Sequence, residues 1–218
     1  SRAVALAKPP ANLFCSAPFC CSVYLMTKFI LVGGYVQKAP DGGKAFCEEL
    51  VKNFSEPVKI LDCVFARLQT VWEETFAKDK EFFKTQLPGK KLELQLANID
   101  TFLQQIKWAD IIYFRGGSSE ELVKSLQQYN SFVQHIQGKT VAGTSAGADA
   151  LSKYYYGLDN LEIRNGLGLV PVKTIPHFKS DYHGWEFDWE KAETELKAYR
   201  EDLPLVTLRE GEFKVFER

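Results

Sequence analysis

The residues best suited to chemistry lie around Ser145, in the segment Val141-Ala-Gly-Thr-Ser-Ala-Gly-Ala148. A short apolar run breaks there into Gly-x-Ser-x-Gly, a pattern typical of a strand that ends in a sharp turn and opens a helix. Such a turn exposes the serine hydroxyl at the end of a sheet, and the N–H of Ala146 can face a developing oxyanion. The pattern indicates a nucleophilic serine, with an inert serine in a glycine-rich turn as the alternative.

A nucleophilic serine needs a base, and the chain has three histidines. His135 comes just before the strand that leads to Ser145, which places it near the opposite edge of the sheet. His177 follows an extended Ile-Pro segment that can return to the edge where Ser145 lies. We therefore expect His177 to be the base, with His183, in a predicted loop, as the second candidate.

An acidic residue should orient the imidazole of that histidine. Between Ser145 and His177 the acidic residues are Asp149, Asp159 and Glu162. Asp149 comes one helical turn after the serine and is expected to point along the new helix. Asp159 follows this helix in a loop that can reach the histidine, so we expect Asp159 to be the orienting acid.

The elements that must position these residues alternate along the chain. Strands are predicted at 28–32, 58–65, 92–96, 110–114 and 140–143, and helices at 43–54, 71–87, 99–108 and 118–128. This alternation predicts an α/β fold: a doubly wound, mainly parallel sheet with helices on both faces. Two apolar segments around a Glu-Gly pair, at 205–208 and 213–216, predict a C-terminal hairpin.

Ligands of such sheets bind at the carboxyl ends of the strands. Ser145 and the turn Gly116-Gly117 both follow predicted strands, so both lie at that edge. Because glycine has no Cβ, this turn can present a backbone N–H to a substrate as a second oxyanion donor. An ordinary strand–helix turn is the alternative for the glycine pair taken alone.

Composition excludes several classes of protein. The 218 residues carry a formal net charge of −1, with 45% hydrophobic and 25% charged residues, as in an ordinary soluble enzyme. No basic stripe for nucleic acid and no apolar run long enough to cross a membrane is present. The two cysteines outside the first 25 residues, Cys47 and Cys63, have no metal-binding spacing, so we expect no metal site and a reducing cytoplasmic location.

Residues 1–25 differ from the rest of the chain. The only methionine, Met26, directly precedes the first predicted strand. We expect residues 1–25 to be a non-native or processed leader and residues 26–218 to be a single catalytic domain. A secretory signal is the competing interpretation of the apolar stretch 14–25, although Pro18 and three cysteines interrupt it.

Removal of residues 1–25 is expected to leave the melting temperature nearly unchanged, because the first predicted strand begins after them. Thermal unfolding of the full chain and of a chain that begins at Met26 measures this. A loss of many degrees would show that the leader belongs to the domain.

Three blocks of the sequence, residues 109–122, 138–148 and 166–178, together resemble peptidase family S51, the dipeptidase E and cyanophycinase group. The first block holds a strand and the Gly-Gly turn, the second holds Ser145, and the third ends at His177 and Phe178. Their order and spacing agree with the family from Met26 to the C-terminus.

The resemblance implies a class I glutamine-amidotransferase-like fold and hydrolysis of a small peptide, without metal or organic cofactor. It assigns Ser145 as nucleophile, His177 as base, and the N–H groups of Gly117 and Ala146 as oxyanion donors. Asp159 falls near the family's third acid. In the best-known branch, cleavage follows an N-terminal aspartate.

Under this resemblance the candidate substrate-binding residues are Gly116, Arg115 and Arg164. The expected partner is the peptide substrate alone, without nucleic acid or membrane, and the expected assembly is a monomer or homodimer. Two alternatives remain. An α/β-hydrolase esterase shares Gly-x-Ser-x-Gly but usually places its histidine much farther along the chain. A non-catalytic binding module could keep the same fold without turnover.

Overall fold

The fold is known from a computed structural model that describes residues 26–129, 131–181, 184 and 186–218. The predicted leader and His183 lie outside these residues. Within them the strands are β1 (Lys28–Val32), β2 (Val58–Cys63), β3 (Leu92–Leu96), β4 (Ile111–Phe114), β5 (Thr140–Thr144), β6 (Tyr154–Gly157), β7 (Glu162–Asn165), β8 (Lys173–Ile175), β9 (Leu205–Thr207) and β10 (Phe213–Glu217). The α-helices are α1 (Lys44–Val51), α2 (Trp72–Gln86), α3 (Phe102–Trp108), α4 (Ser119–Gln127), α5 (Phe132–His135), α6 (Ala146–Leu151) and α7 (Trp189–Ala198).

The main sheet has six strands in the order β10-β1-β5-β4-β2-β3. All neighbours pair in parallel except β10, which runs antiparallel to β1. The central strands are apolar and buried on both sides, as parallel strands covered by helices must be. Residues of α1 and α2 pack on one face, and residues of α3, α4, α5 and α6 pack on the other. The predicted α/β fold with helices on both faces is confirmed.

A second sheet, which the sequence analysis did not predict, has four strands in the order β7-β6-β8-β9. Its strands are only three or four residues long, and α7 packs against β6 and β8. Strand β8 runs parallel to both β6 and β9. The carboxyl ends of β8 and β9 therefore lie at one edge, which is where His177 follows β8.

The two C-terminal strands are present as predicted, and a turn closed by the Glu212 N–H and the Arg209 carbonyl (3.1 Å) connects them. Each strand pairs with a different sheet: β9 lies beside β8, whereas β10 lies beside β1. The connection therefore joins the two sheets at the edge that carries the serine.

No helix in the described part of the chain is both long enough and apolar enough to span a membrane.

Candidate active site

Ser145 lies between β5 and α6 with an unusual backbone, φ 51° and ψ −111°. A positive φ is rare for a residue with a side chain and persists only where the surrounding structure enforces it. The neighbouring glycine is part of that structure, since a Cβ on Gly147 would lie 2.4 Å from the carbonyl oxygen of Phe114 in β4. The Ser145 N–H also donates to the Val32 carbonyl at 2.9 Å. The Gly-x-Ser-x-Gly pattern thus gives the strand–turn–helix geometry expected from the sequence.

His177 lies directly against this serine. Its Nε2 is 2.9 Å from Ser145 Oγ, within hydrogen-bond distance. The histidine follows β8 with a φ of 54°, is 4% exposed, and donates its backbone N–H to the Gly33 carbonyl at 2.8 Å. The imidazole is therefore held by both sheets, in the position a base needs to take the serine proton.

The other ring nitrogen of His177 faces Glu210, not Asp159. Nδ1 is 3.4 Å from Glu210 Oε1, and both side chains are almost fully buried. Lys38, at the end of a short 3-10 helix after β1, forms an ion pair with the same carboxylate. The hydrogen bond between the Lys38 ammonium and Glu210 raises the pKa of Lys38. Glu210 lies in the turn between β9 and β10, whose start is at the carboxyl edge beside the end of β8.

Asp159, predicted as the orienting acid, takes a different place. It is exposed on the turn between β6 and β7, and neither a hydrogen bond nor an ion pair joins it to His177. The sequence analysis considered only the acids between the serine and the histidine. Glu210 follows the histidine in the chain and was therefore missed. One feature of the sequence pointed to Glu210: the Glu210-Gly211 turn follows the predicted strand that is β9 in the structure. Because β9 runs parallel to β8, both strands end at the edge where His177 lies.

The glycine turn after β4 also packs against the serine. A Cβ on Gly116 would lie 3.1 Å from the Ser145 Cβ. Gly117 has a φ of 156°, and a Cβ there would lie 2.3 Å from the Ala66 carbonyl oxygen, so only glycine fits. Among the described residues, neither the Gly117 N–H nor the Ala146 N–H has a hydrogen-bond acceptor. Two unpaired donors beside Ser145 suit an oxyanion.

Two cavities meet at Ser145 and His177. The first contains both acidic and basic side chains, and we call it the mixed-charge cavity; its charged lining residues are Glu120, Asp149, Asp159 and Arg164. In the second, which we call the arginine cavity, the charged lining residues are Arg67 and Arg115. The predicted substrate-binding residues are therefore divided between the two sides of the serine.

In the mixed-charge cavity, Arg164 forms ion pairs with Glu120 at 2.7 Å and with Glu162 at 3.3 Å. Asp149 is buried beside it and accepts hydrogen bonds from the hydroxyls of Ser119 (2.8 Å) and Thr174 (3.3 Å). Burial raises the pKa of the Asp149 carboxyl well above its ordinary value. Arg164 thus lines a cavity beside Ser145, with acidic partners that the sequence analysis did not assign to it.

In the arginine cavity, Arg115 forms an ion pair with Asp79 at 2.8 Å and donates to the Tyr113 hydroxyl at 3.3 Å. Asp62 lies fully buried near this pair. Burial, and secondarily the neighbouring Asp79 charge, raise the pKa of Asp62 well above its ordinary value. The Arg115 side chain is 18% exposed, so it belongs to a buried polar cluster and also reaches the cavity.

In the described part of the chain, no group of three or more His, Cys, Asp or Glu side chains is placed to bind a metal ion. The two cysteines there, Cys47 and Cys63, are buried and free. Burial raises the pKa of the Cys47 thiol to about 12, so this thiol is not a ready nucleophile.

Comparison with known proteins gives a consistent result. Residues 65–217 match the sequence profile of peptidase family S51. A crystal structure of a peptidase from an acI-B1 Actinobacterium is similar, with a TM-score of 0.62 and 26% identity over 88% of this chain and 84% of that one. A Listeria monocytogenes EGD-e protein described as a candidate peptidase E has the same fold, with a TM-score of 0.63 and 19% identity over 88% and 98% of the two chains. None of the curated proteins is a significant match.

Proposed function

Because this chain belongs to peptidase family S51, we propose that it is a serine peptidase with Ser145 as nucleophile, His177 as base and Glu210 as orienting acid. The observation that carries the proposal is the 2.9 Å contact between His177 Nε2 and Ser145 Oγ. It joins the serine of the strained turn to a histidine that a second sheet delivers. The esterase alternative does not agree with the family match.

The reaction follows from the positions of these groups. As Ser145 Oγ attacks the scissile carbonyl, His177 Nε2 accepts its proton, and the N–H groups of Gly117 and Ala146 bind the oxyanion. Glu210 accepts the hydrogen bond of Nδ1–H and stabilises the imidazolium. His177 then protonates the leaving amine. Water, deprotonated by the same histidine, hydrolyses the acyl-enzyme and releases the first residue.

The preferred substrate in this proposal is an Asp-X dipeptide. The mixed-charge cavity combines Arg164, a partner for the aspartate side chain, with the carboxylate of Glu120, a partner for an ammonium; the two charges of the substrate would replace the Arg164–Glu120 ion pair (2.7 Å). An N-terminal aspartate carries both of these charges. Arginine binds a planar carboxylate through paired N–H donors, which makes it well suited to this recognition.

A substrate panel tests the proposal. Asn-Leu and Ala-Leu lack the side-chain carboxylate of Asp-Leu, N-acetyl-Asp-Leu lacks its ammonium, and short acyl esters represent the esterase alternative. We expect kcat/KM to be highest for Asp-Leu and to fall by a factor on the order of 10 or more when either charge is removed. Equal rates on Asp-Leu and Ala-Leu would contradict the specificity, and ester cleavage without peptide cleavage would contradict the peptidase.

Replacing Glu210 by glutamine is expected to reduce kcat by a factor on the order of 10², because the imidazolium loses its ionic partner. The loss should be smaller than in tightly coupled triads, since the Nδ1–Oε1 distance is 3.4 Å and Lys38 shares the carboxylate. Steady-state kinetics on Asp-Leu measure it.

Glu212→Gln is the matched control, because Glu212 lies in the same turn and is exposed. Asp159→Asn tests the rival orienting acid. A larger loss of kcat in Asp159→Asn than in Glu210→Gln would show that the wrong acid has been assigned.

A further inference from the structure

The charges of the two cavities decide which part of a peptide each can take. An N-terminal residue brings an ammonium, which needs an acidic partner. Among the described residues, acidic side chains line the mixed-charge cavity and are absent from the lining of the arginine cavity. The residue before the scissile bond therefore belongs in the mixed-charge cavity. The leaving residue then lies in the arginine cavity, on the other side of Ser145.

Arg67 stands close to the position of the scissile carbonyl. Its Nε donates to the Gly116 carbonyl at 2.8 Å, and Gly116 itself packs against Ser145. Gly117, the next residue, is a proposed oxyanion donor. In a dipeptide the free α-carboxylate comes within about one residue length, ~3.8 Å, of the scissile bond. A guanidinium held on the Gly116 carbonyl is placed to meet that carboxylate.

The charge of Arg67 is also available. The residue is exposed, and within the described part of the chain it forms no ion pair. Arg115, in contrast, has Asp79 as its ionic partner at 2.8 Å. The remaining acid of that cluster, Asp62, is fully buried and forms no ion pair with Arg67, and burial raises the pKa of its carboxyl well above the ordinary value. Among the residues that the structure describes, the arginine cavity is thus lined by two cationic side chains and by no carboxylate, beside the polar side chains of Tyr35 and Gln37.

We propose that Arg67, supported by Arg115, binds the free α-carboxylate of the leaving residue and so selects dipeptides over peptides blocked or extended at that carboxylate. The inference rests on the proposed function, because it takes Ser145 as the nucleophile. It adds a second charge requirement, at the opposite end of the substrate from the ammonium. Arg67 acts on binding, so its contribution should appear mainly in KM.

The test compares Asp-Leu with Asp-Leu-amide, which differ only in the carboxylate, in the wild-type enzyme and in Arg67→Gln. In the wild type we expect kcat/KM for Asp-Leu to exceed that for the amide by a factor on the order of 10 or more, a charge-assisted contact. In Arg67→Gln this ratio should fall close to 1. Because both substrates are measured on one preparation, the ratio does not depend on the fraction of folded enzyme.

Lys52→Gln is the control, since Lys52 is an exposed cation whose side chain lines a surface pocket with Lys28 and Gly138, away from Ser145. It should keep the wild-type ratio. Raising the salt concentration should lower the wild-type ratio, as expected for an exposed charge.

A ratio near 1 in the wild type, or an unchanged ratio in Arg67→Gln, would overturn the role of Arg67 while both substrates are still cleaved. If neither substrate is cleaved, the proposed function itself fails. The two failures are therefore distinguishable in one experiment.

Discussion

Replacing Ser145 by alanine is expected to reduce kcat on Asp-Leu by a factor on the order of 10⁴ or more, as in other serine triads. The substitution removes one oxygen, the atom 2.9 Å from His177 Nε2, and leaves no nucleophile at the turn. The fold should survive, because alanine fits where serine does and the hydroxyl makes no structural hydrogen bond other than that to the histidine among the described residues.

Steady-state kinetics and thermal unfolding of the same preparation measure both expectations. Ser125→Ala, a substitution in α4, is the matched control and should keep wild-type kcat. Retention of most activity in Ser145→Ala would falsify the serine mechanism.

His177→Gln is expected to be nearly as inactive as Ser145→Ala, with a loss in kcat on the order of 10⁴-fold. Glutamine can occupy similar space but cannot accept the serine proton and later donate it to the leaving amine. In the proposed mechanism the two residues act as one unit, so the double variant should be no worse than either single variant. Additive losses in the double variant would show that the residues act independently.

His183→Gln distinguishes the two histidines and should lose far less activity than His177→Gln. The rate should also fall at acidic pH in the wild type, because a protonated imidazole cannot accept the serine proton. If His183→Gln is the inactive variant, the assignment of the base is wrong.

The main sheet could be predicted because its strands are continuous apolar runs separated by amphipathic helices. Strands β1 and β5, for example, are buried on both faces and, apart from Lys28 at the start of β1, consist of apolar or small residues. The second sheet could not be predicted, because strands of three or four residues are too short to show the alternation of apolar and polar residues that marks a strand. Its existence follows from tertiary packing against α7 and not from local propensity.

The functional site also contains both residues that could be predicted from the sequence and residues that could not. The position of Ser145 was predictable because its turn leaves no room for a side chain at neighbouring positions such as Gly147. The glycines at these positions are visible in the sequence. The contact between Glu210 and His177 was not predictable, because Glu210 reaches His177 through a connection between two sheets that only the three-dimensional structure reveals. Asp159 satisfied the order along the chain but lies on an exposed turn.

For Arg115, the sequence analysis named the residue but did not predict its ionic partner. The family resemblance made it a candidate substrate-binding residue, yet its ionic partner is Asp79, a residue of α2 that lies far away in sequence. Such a buried pair cannot be read from spacing, since α2 and β4 meet only in the folded sheet. Arg67, which the sequence analysis did not name, is exposed and donates to the Gly116 carbonyl beside Ser145.

Active-site labelling tests the central claim most directly. A fluorophosphonate reacts with a serine only when a neighbouring base activates it and an oxyanion site binds the phosphoryl oxygen. We predict one adduct per chain, on the peptide that contains Ser145, with loss of peptidase activity in proportion to labelling and no adduct in His177→Gln. An enzyme that cleaves Asp-Leu yet remains unlabelled, or that is labelled on a different serine, would contradict the assignment of Ser145 as the nucleophile.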